Sequence, residues 1–258
     1  MAYVELRGHQ TWYQPAKGRG KSVVLLHGGL SSSTSLWHSV GPGLRKHFRV
    51  SAFDRRGHGR SADTDQPFSI DAMADETIAF LEYLGKRSHL VGHSDGANVA
   101  LAVAMRRPDL VRRVVAVGGN FHYSGLMAME AFTPQSPGFA DFAQDFGSKS
   151  PDGALHAAVV VEKTRALVEN EPTWSVNDLA TITRPVLVMA GDDDVTTLAH
   201  VGDMYEAISN AQLAILPGAS HGVLKEHTKV ATSLIVHYLQ STLPPVTRAP
   251  IRRRTGEA

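Results

Sequence analysis

The segment Leu90-Val91-Gly92-His93-Ser94-Asp95-Gly96 constrains this chain more than any other. An apolar run leads into a serine flanked by glycines, and a helix-forming run beginning at Ala97 follows. The order reads as strand, sharp turn and helix, with Ser94 at the apex. A backbone that reverses this sharply is strained, and strain of this kind concentrates at functional sites. Gly92 and Gly96 are required because a Cβ at either position would collide where strand and helix approach. A serine between two glycines means little alone; its placement between a strand and a helix gives it weight.

The 258 residues suit one large domain, or one domain with an insert. The chain is 43% hydrophobic and 20% charged, the balance of a globular enzyme. A net charge of +1 gives no field that gathers nucleic acid or membrane surfaces, so neither is expected as a partner. There is no cysteine, which excludes disulfides, thiolate nucleophiles and cysteine metal sites. No apolar run is long enough to cross a bilayer. The opening residues Ala2–Arg7 lack a basic segment followed by an apolar one, so a cytoplasmic location without a signal peptide is expected. Residues 244–258 carry Arg248, Arg252, Arg253 and Arg254 beside prolines and read as a basic, solvated tail. Monomer and homodimer both remain open.

Short apolar runs alternate with helical patterns. Strands are expected at Tyr3–Leu6, Gln10–Tyr13, Ser22–Leu26, Val50–Phe53, Ser88–Val91, Val111–Val117, Pro185–Ala190 and Gln212–Leu216. Helices are expected at Ser35–Lys46, Ile70–Leu84, Ala97–Arg106, Leu198–Ile208 and Leu224–Leu239. Continuous apolar strands separated by helices imply an α/β fold: a mostly parallel, doubly wound sheet covered on both faces. Chemistry in such sheets sits at the carboxyl ends of the strands. His27-Gly28-Gly29, the serine turn, Gly191–Asp194 and Ser220-His221-Gly222 all follow expected strands, so they should meet on one edge.

Residues 120–183 break the alternation. They hold Phe121, Tyr123, Met127, Met129, Phe132, Phe139, Phe142 and Phe146, and a helical stretch near Ala154–Val168. The segment is too long for a plain loop and reads as a small helical lid inserted before the last two strands. Helices packed sideways to extend the core are the alternative. The organisation expected is a core of residues 1–119 and 184–243, a lid of 120–183 and the tail.

Over roughly residues 3–240 the chain resembles the α/β-hydrolase fold. The resemblance rests on His27-Gly28-Gly29, Asp54-Arg55-Arg56-Gly57-His58-Gly59-Arg60-Ser61, the Gly92–Gly96 elbow, Gly191-Asp192-Asp193-Asp194 and Ser220-His221-Gly222. It implies that Ser94 is a nucleophile that needs a base to take its proton; a serine capping the next helix is the plainer alternative. His221 is the implied base, chosen among 13 histidines because it follows the last strand and comes after both serine and acid. Asp194 is the implied third member, since the family pattern G-x-x-D selects it over Asp192 and Asp193. Its carboxylate would fix the imidazole tautomer. Some relatives carry the acid after the preceding strand, where this chain has Gly118-Gly119-Asn120. The oxyanion hole is implied at the backbone N–H groups of Gly29 and Asp95. Leu30, Trp37, Phe121 and Met127 are the expected substrate contacts.

These residues imply a serine hydrolase acting on carboxylic esters or related acyl bonds of a small, largely apolar substrate, without metal or organic cofactor. Amides, lactones, thioesters, peracids and carbon–carbon bonds stay open, because the same triad serves them all. Dehalogenases and epoxide hydrolases of this fold usually carry aspartate where this chain has Ser94. Asp95 has two readings. An acid at a helix start interacts well with the macrodipole. Alternatively it pairs with a substrate ammonium, since the chain is loosely similar to α-amino acid ester hydrolases of this fold with aspartate after the serine. A small-molecule receptor that kept the fold without turnover is the contrasting class.

Overall fold

Eight strands form one sheet in the computed structural model, which describes residues 2–128, 130–242, 245 and 248. In chain order they are β1 (Ala2–Leu6), β2 (His9–Lys17), β3 (Ser22–Leu26), β4 (Arg49–Phe53), β5 (Ser88–His93), β6 (Val111–Val117), β7 (Val186–Asp193) and β8 (Ala211–Ser220). Their order across the sheet is β1-β2-β4-β3-β5-β6-β7-β8. β1 and β2 pair as an antiparallel hairpin that joins the edge of β4. Every pairing from β4 through β3 to β8 is parallel. A parallel sheet is hydrophobic on both faces and must be covered on both. All five residues of β3 are accordingly buried.

The helices are α1 (Ser33–His38), α2 (Gly41–Leu44), α3 (Ile70–Leu84), α4 (Asp95–Arg106), α5 (Phe139–Gly147), α6 (Ala157–Asn170), α7 (Val176–Ala180), α8 (Leu198–Ala207), α9 (Val223–Glu226) and α10 (Thr228–Gln240). Val24, Leu26, Leu90 and Val114 pack on one face with α3, α4 and α8. Val23, Leu25, Val91 and Val115 pack on the other with α1, α2 and α10. Alternate residues along each strand thus serve opposite layers, as a pleated strand requires.

α3 and β6 form with the bounds their periodicity predicts. Ser69 caps α3 by accepting from the Ala72 N–H, and Gly85 ends it in the left-handed region. The single helix expected over Ser35–Lys46 is instead α1 and α2, which part at Ser39-Val40, because Pro42 in the first turn of α2 has no N–H to donate back to His38. The closing helix divides into α9 and α10 at His227. β7 and β8 run past their expected ends, to Asp193 and Ser220, so the loops that follow begin at Asp194 and His221.

Residues 120–183 form α5, α6 and α7 with short helical turns between them. The α5 face packs Phe132, Phe139, Phe142 and Phe146 against one another. Asp63, in the loop after β4, ties this insert down. Its buried carboxylate accepts from Lys163 Nζ at 2.7 Å and bonds His156 Nε2 at 2.9 Å. Its own N–H donates to Asp152 at 2.8 Å. A second tie runs from the Ile70 N–H to Glu171 at 2.7 Å. The expected tail lies outside the described residues apart from 245 and 248, as does Met129.

The elbow depends on missing side chains. A methyl at Gly92 would sit 2.0 Å from the Gly96 carbonyl oxygen, and one at Gly96 would sit 2.1 Å from the Leu26 oxygen. Both atoms are backbone and cannot swing aside. Gly96→Ala is expected to lower stability by about 1–3 kcal/mol or more, as overpacking does. Urea denaturation measures it, and an unchanged midpoint would contradict this packing.

Candidate active site

Strand register assembles this site. Asp193 of β7 pairs with Ser220 of β8, so the next residue along each strand, Asp194 and His221, emerge side by side. His93 pairs with Val117 on the other side of the cluster. The Ser94 N–H donates to the Val117 oxygen at 2.8 Å, and the Gly118 N–H to the Met189 oxygen at 2.8 Å. Residues 94, 118, 194 and 221 therefore leave neighbouring strands at one level of the sheet.

Ser94 has φ 56° and ψ −126°, a conformation that L-residues rarely adopt. Its side chain does not cap α4, so the plainer reading of this serine is not what holds it there. Ser94 and His221 instead line a common cavity of about 270 Å³ with Gly28, Gly29 and Leu30. Among the described residues no hydrogen bond joins the Ser94 hydroxyl to His221. Such bonds are often long in empty sites and tighten when substrate binds.

Asp194 Oδ1 lies 2.7 Å from His221 Nδ1. A carboxylate can only accept, so Nδ1 carries a proton, and Nε2 is the ring nitrogen left over to act on Ser94. The Asp194 side chain is fully buried, whereas that of His221 is 30% exposed. Burial pushes the Asp194 carboxyl up, but the His221 hydrogen bond and charge, with backbone N–H donors, outweigh it and hold it below its usual range. Asp192 is used elsewhere, accepting from the Ala219 N–H at 3.2 Å. Asp193 is exposed. Asn120 is paired with Asn98 through two 2.8 Å hydrogen bonds.

Two further residues hold this arrangement, and their roles are not visible in the sequence. The first is Arg55, which is fully buried. Its Nη1 donates to the His27 oxygen at 2.6 Å, and its N–H donates to His27 Nε2 at 3.1 Å. His27 Nδ1 consequently carries the proton and donates to the Gly28 oxygen at 2.7 Å. Burial and then the Arg55 charge push the His27 pKa well down, so the ring is neutral. The loop that carries Gly29 is thus clamped from beneath. The second is His93, whose Nε2 donates to the His221 backbone oxygen at 2.7 Å. Burial, followed by the neighbouring His221 charge, pushes its pKa to about 4, so it stays a neutral, fixed donor. The signal in the sequence was only that both belong to motifs that carry the family resemblance.

Asp95 starts α4, so its N–H has no partner within the helix. The Gly29 N–H donates to nothing among the described residues. Asp95 Oδ2 is buried without a partner and presses on Gly29, where a methyl would meet it at 2.5 Å. Burial raises the Asp95 pKa, opposed by the charges of Arg55 and His221. Thr164 of α6 meets Gly29 from the insert, and its hydroxyl is likewise buried and unpartnered.

Of the expected substrate contacts, Leu30 is a wall of the Ser94 cavity. It also lines a cavity of about 370 Å³ under the insert, together with Met127, Phe132, Val161 and Val168. Trp37, Phe121 and Met127 are not among the residues that line the Ser94 cavity. Trp37 packs in the core with the Arg45 guanidinium 4.3 Å above its ring. Phe121 is buried, its ring stacked on His200 at 3.9 Å. Among the described residues, no group of three or more His, Cys, Asp or Glu is placed to hold a metal ion, and no helix is long and apolar enough to cross a membrane.

The model of the alpha/beta hydrolase family matches residues 23–232. A protein of Caulobacter vibrioides designated carbamate hydrolase RutD is 35% identical over 249 residues, covering 86% of this chain and 91% of its own. A non-heme haloperoxidase of Rhodococcus erythropolis is 27% identical over 261 residues, covering 87% and 94%. Among solved structures, a serine-to-alanine variant of a meta-cleavage product hydrolase from Pseudomonas fluorescens superposes with a TM-score of 0.74 at 23% identity, covering 93% of this chain and 97% of that one.

The hydrogen bond of Asp194 separates it from its neighbours in a measurable way. Asp194→Asn is expected to lower kcat about 10³–10⁴-fold, the scale of losing the correct imidazole tautomer. Asp193→Asn should stay within about threefold of the parent, as a surface change with no partner does. Steady-state kinetics on the two variants decide it, and the reverse ranking would reassign the acid.

Proposed function

Because the chain belongs to the alpha/beta hydrolase family, a family of hydrolases, we propose that it is a serine hydrolase of carboxylic esters and related acyl bonds. The observation that carries this reading is the 2.7 Å Asp194–His221 hydrogen bond beside a cavity that Ser94 shares. Ser94 attacks the acyl carbon while His221 Nε2 takes its proton. The Asp194 carboxylate stabilises the imidazolium as it forms. Negative charge develops on the carbonyl oxygen, and the free N–H groups of Gly29 and Asp95 receive it. Removing one such donor typically costs about 10²–10³ in rate. The proton then passes to the leaving group, and water resolves the acyl-enzyme by the reverse sequence.

The insert over residues 120–183 acts as the lid in this reading. The cavity lined by Leu30, Met127 and Phe132 receives the apolar part of the substrate. His93 and Arg55 position the base and the Gly29 loop without touching substrate. The name of the Caulobacter relative keeps carbamates among the compounds a substrate panel should include.

Asp95 supports a second reading. Its buried, unpartnered oxygen lies beside Gly29 and near the unpartnered Thr164 hydroxyl. A substrate α-ammonium would satisfy both atoms and offset the carboxylate's cost next to a developing oxyanion. Asp95→Asn is expected to lower kcat/KM for an α-amino acyl ester at least about tenfold more than for the plain acyl ester, the scale of a charge-assisted hydrogen bond. Equal effects on both esters would reject it.

A fluorophosphonate probe tests the main reading. Prompt labelling confined to Ser94 is expected, slowed about 10³-fold or more in His221→Ala. A folded protein that neither takes the label nor turns over p-nitrophenyl esters would instead be a receptor.

A further inference from the structure

The cavity at Ser94 extends away from the reacting atoms along a polar wall. Ser31, Ser35, Ser39 and Lys225 line it together with Leu30. The same residues line an adjoining cavity of about 470 Å³, so the two form one cleft. Lys225 belongs to α9, one turn beyond His221, and its ammonium makes no ion pair or hydrogen bond among the described residues.

The other charged groups along this cleft are accounted for. Asp145 is bound to Lys149 through both carboxylate oxygens at 2.5 Å. Glu226, beside Lys225, holds the Ser220 N–H at 2.8 Å and the Ser220 hydroxyl at 2.6 Å. His58 is kept neutral by burial, with a pKa pushed to about 3. The Ser39 hydroxyl donates to the Ser35 oxygen at 2.9 Å. The hydroxyls of Ser31 and Ser35 have no partner among the described residues. One exposed, unpaired cation and two free hydroxyls therefore line the same cleft as Ser94, and the one unpaired acid next to it, Asp95, is buried against Gly29 and lines neither cavity.

We infer that this branch of the cleft is a carboxylate subsite, and that the substrate is an acyl compound bearing a second, anionic carboxyl group held by Lys225, Ser31 and Ser35. This rests on the serine hydrolase reading. It assigns the polar branch to the anion and leaves the apolar cavity under the insert for the rest of the molecule. Lys225 then determines specificity and touches no reacting atom.

The test compares the mono-p-nitrophenyl ester of adipate with p-nitrophenyl hexanoate. The two acyl chains have equal length and differ in a terminal carboxylate against a methyl. The parent enzyme is expected to favour the adipate ester. Lys225→Gln should lower the adipate-to-hexanoate ratio of kcat/KM about fivefold, mainly through KM for adipate, the scale of a solvent-accessible ion pair. Lys225→Glu should lower it further, and added salt should shrink the parent's preference. Lys229→Gln removes the same charge from an exposed position outside the cleft and should keep the parent ratio. An equal ratio in the parent and both Lys225 variants, with hexanoate turnover that depends on Ser94, overturns the subsite and leaves the hydrolase reading standing. Failure of the folded parent to cleave either ester overturns the hydrolase reading, and the subsite falls with it.

Discussion

Parallel pairing of β7 with β8 sets Asp193 opposite Ser220, and the next residue along each strand is a proposed triad member. Strands in a sheet lie about 4.8 Å apart, which is the distance two facing side chains can bridge. The 2.7 Å contact between Asp194 and His221 is therefore a consequence of register. A slip of either strand by one residue would turn its side chain to the wrong face and part the pair. The two hydrophobic layers enforce that register, because each strand buries alternate residues on opposite sides.

The rest of the site is arranged around this edge by close approach. The elbow brings β5 and α4 so near each other that only glycine fits at positions 92 and 96. Strain at Ser94 is offset by the packing around it and by the hydrogen bond of its N–H to Val117. The buried Arg55 acts in the same way on the other side. It brings a charge into the interior and uses it to fix the carbonyls of the His27-Gly28 turn. An interior charge is costly, and such groups persist where they hold a specific geometry.

Much of this was legible in the sequence. The strand–turn–helix order around Ser94, the apolar runs of β3 and β6, and the loops ending at Asp194 and His221 follow from local patterns. What was not legible depends on tertiary contact. Nothing near Arg55 marks it as buried. His93 reads as a filler between Gly92 and Ser94, yet its ring bonds to a residue 128 positions away. Trp37 and Phe121 are buried, and aromatic side chains suit a core as well as a binding cavity, so residue type alone does not separate the two. The cause of the break between α1 and α2 was present as Pro42, but apolar spacing through Leu36, Val40 and Leu44 suggests one continuous helix.

The central claim is that hydroxyl, imidazole and carboxylate from three distant parts of the chain act as one nucleophilic centre. Rapid acid quenching during turnover of a p-nitrophenyl ester, followed by peptide mass analysis, tests it most directly. The account predicts that the acyl group is found on Ser94 and on no other residue. Steady turnover with the acyl group on a different side chain, or with none covalently bound while Ser94 remains unmodified, would contradict it.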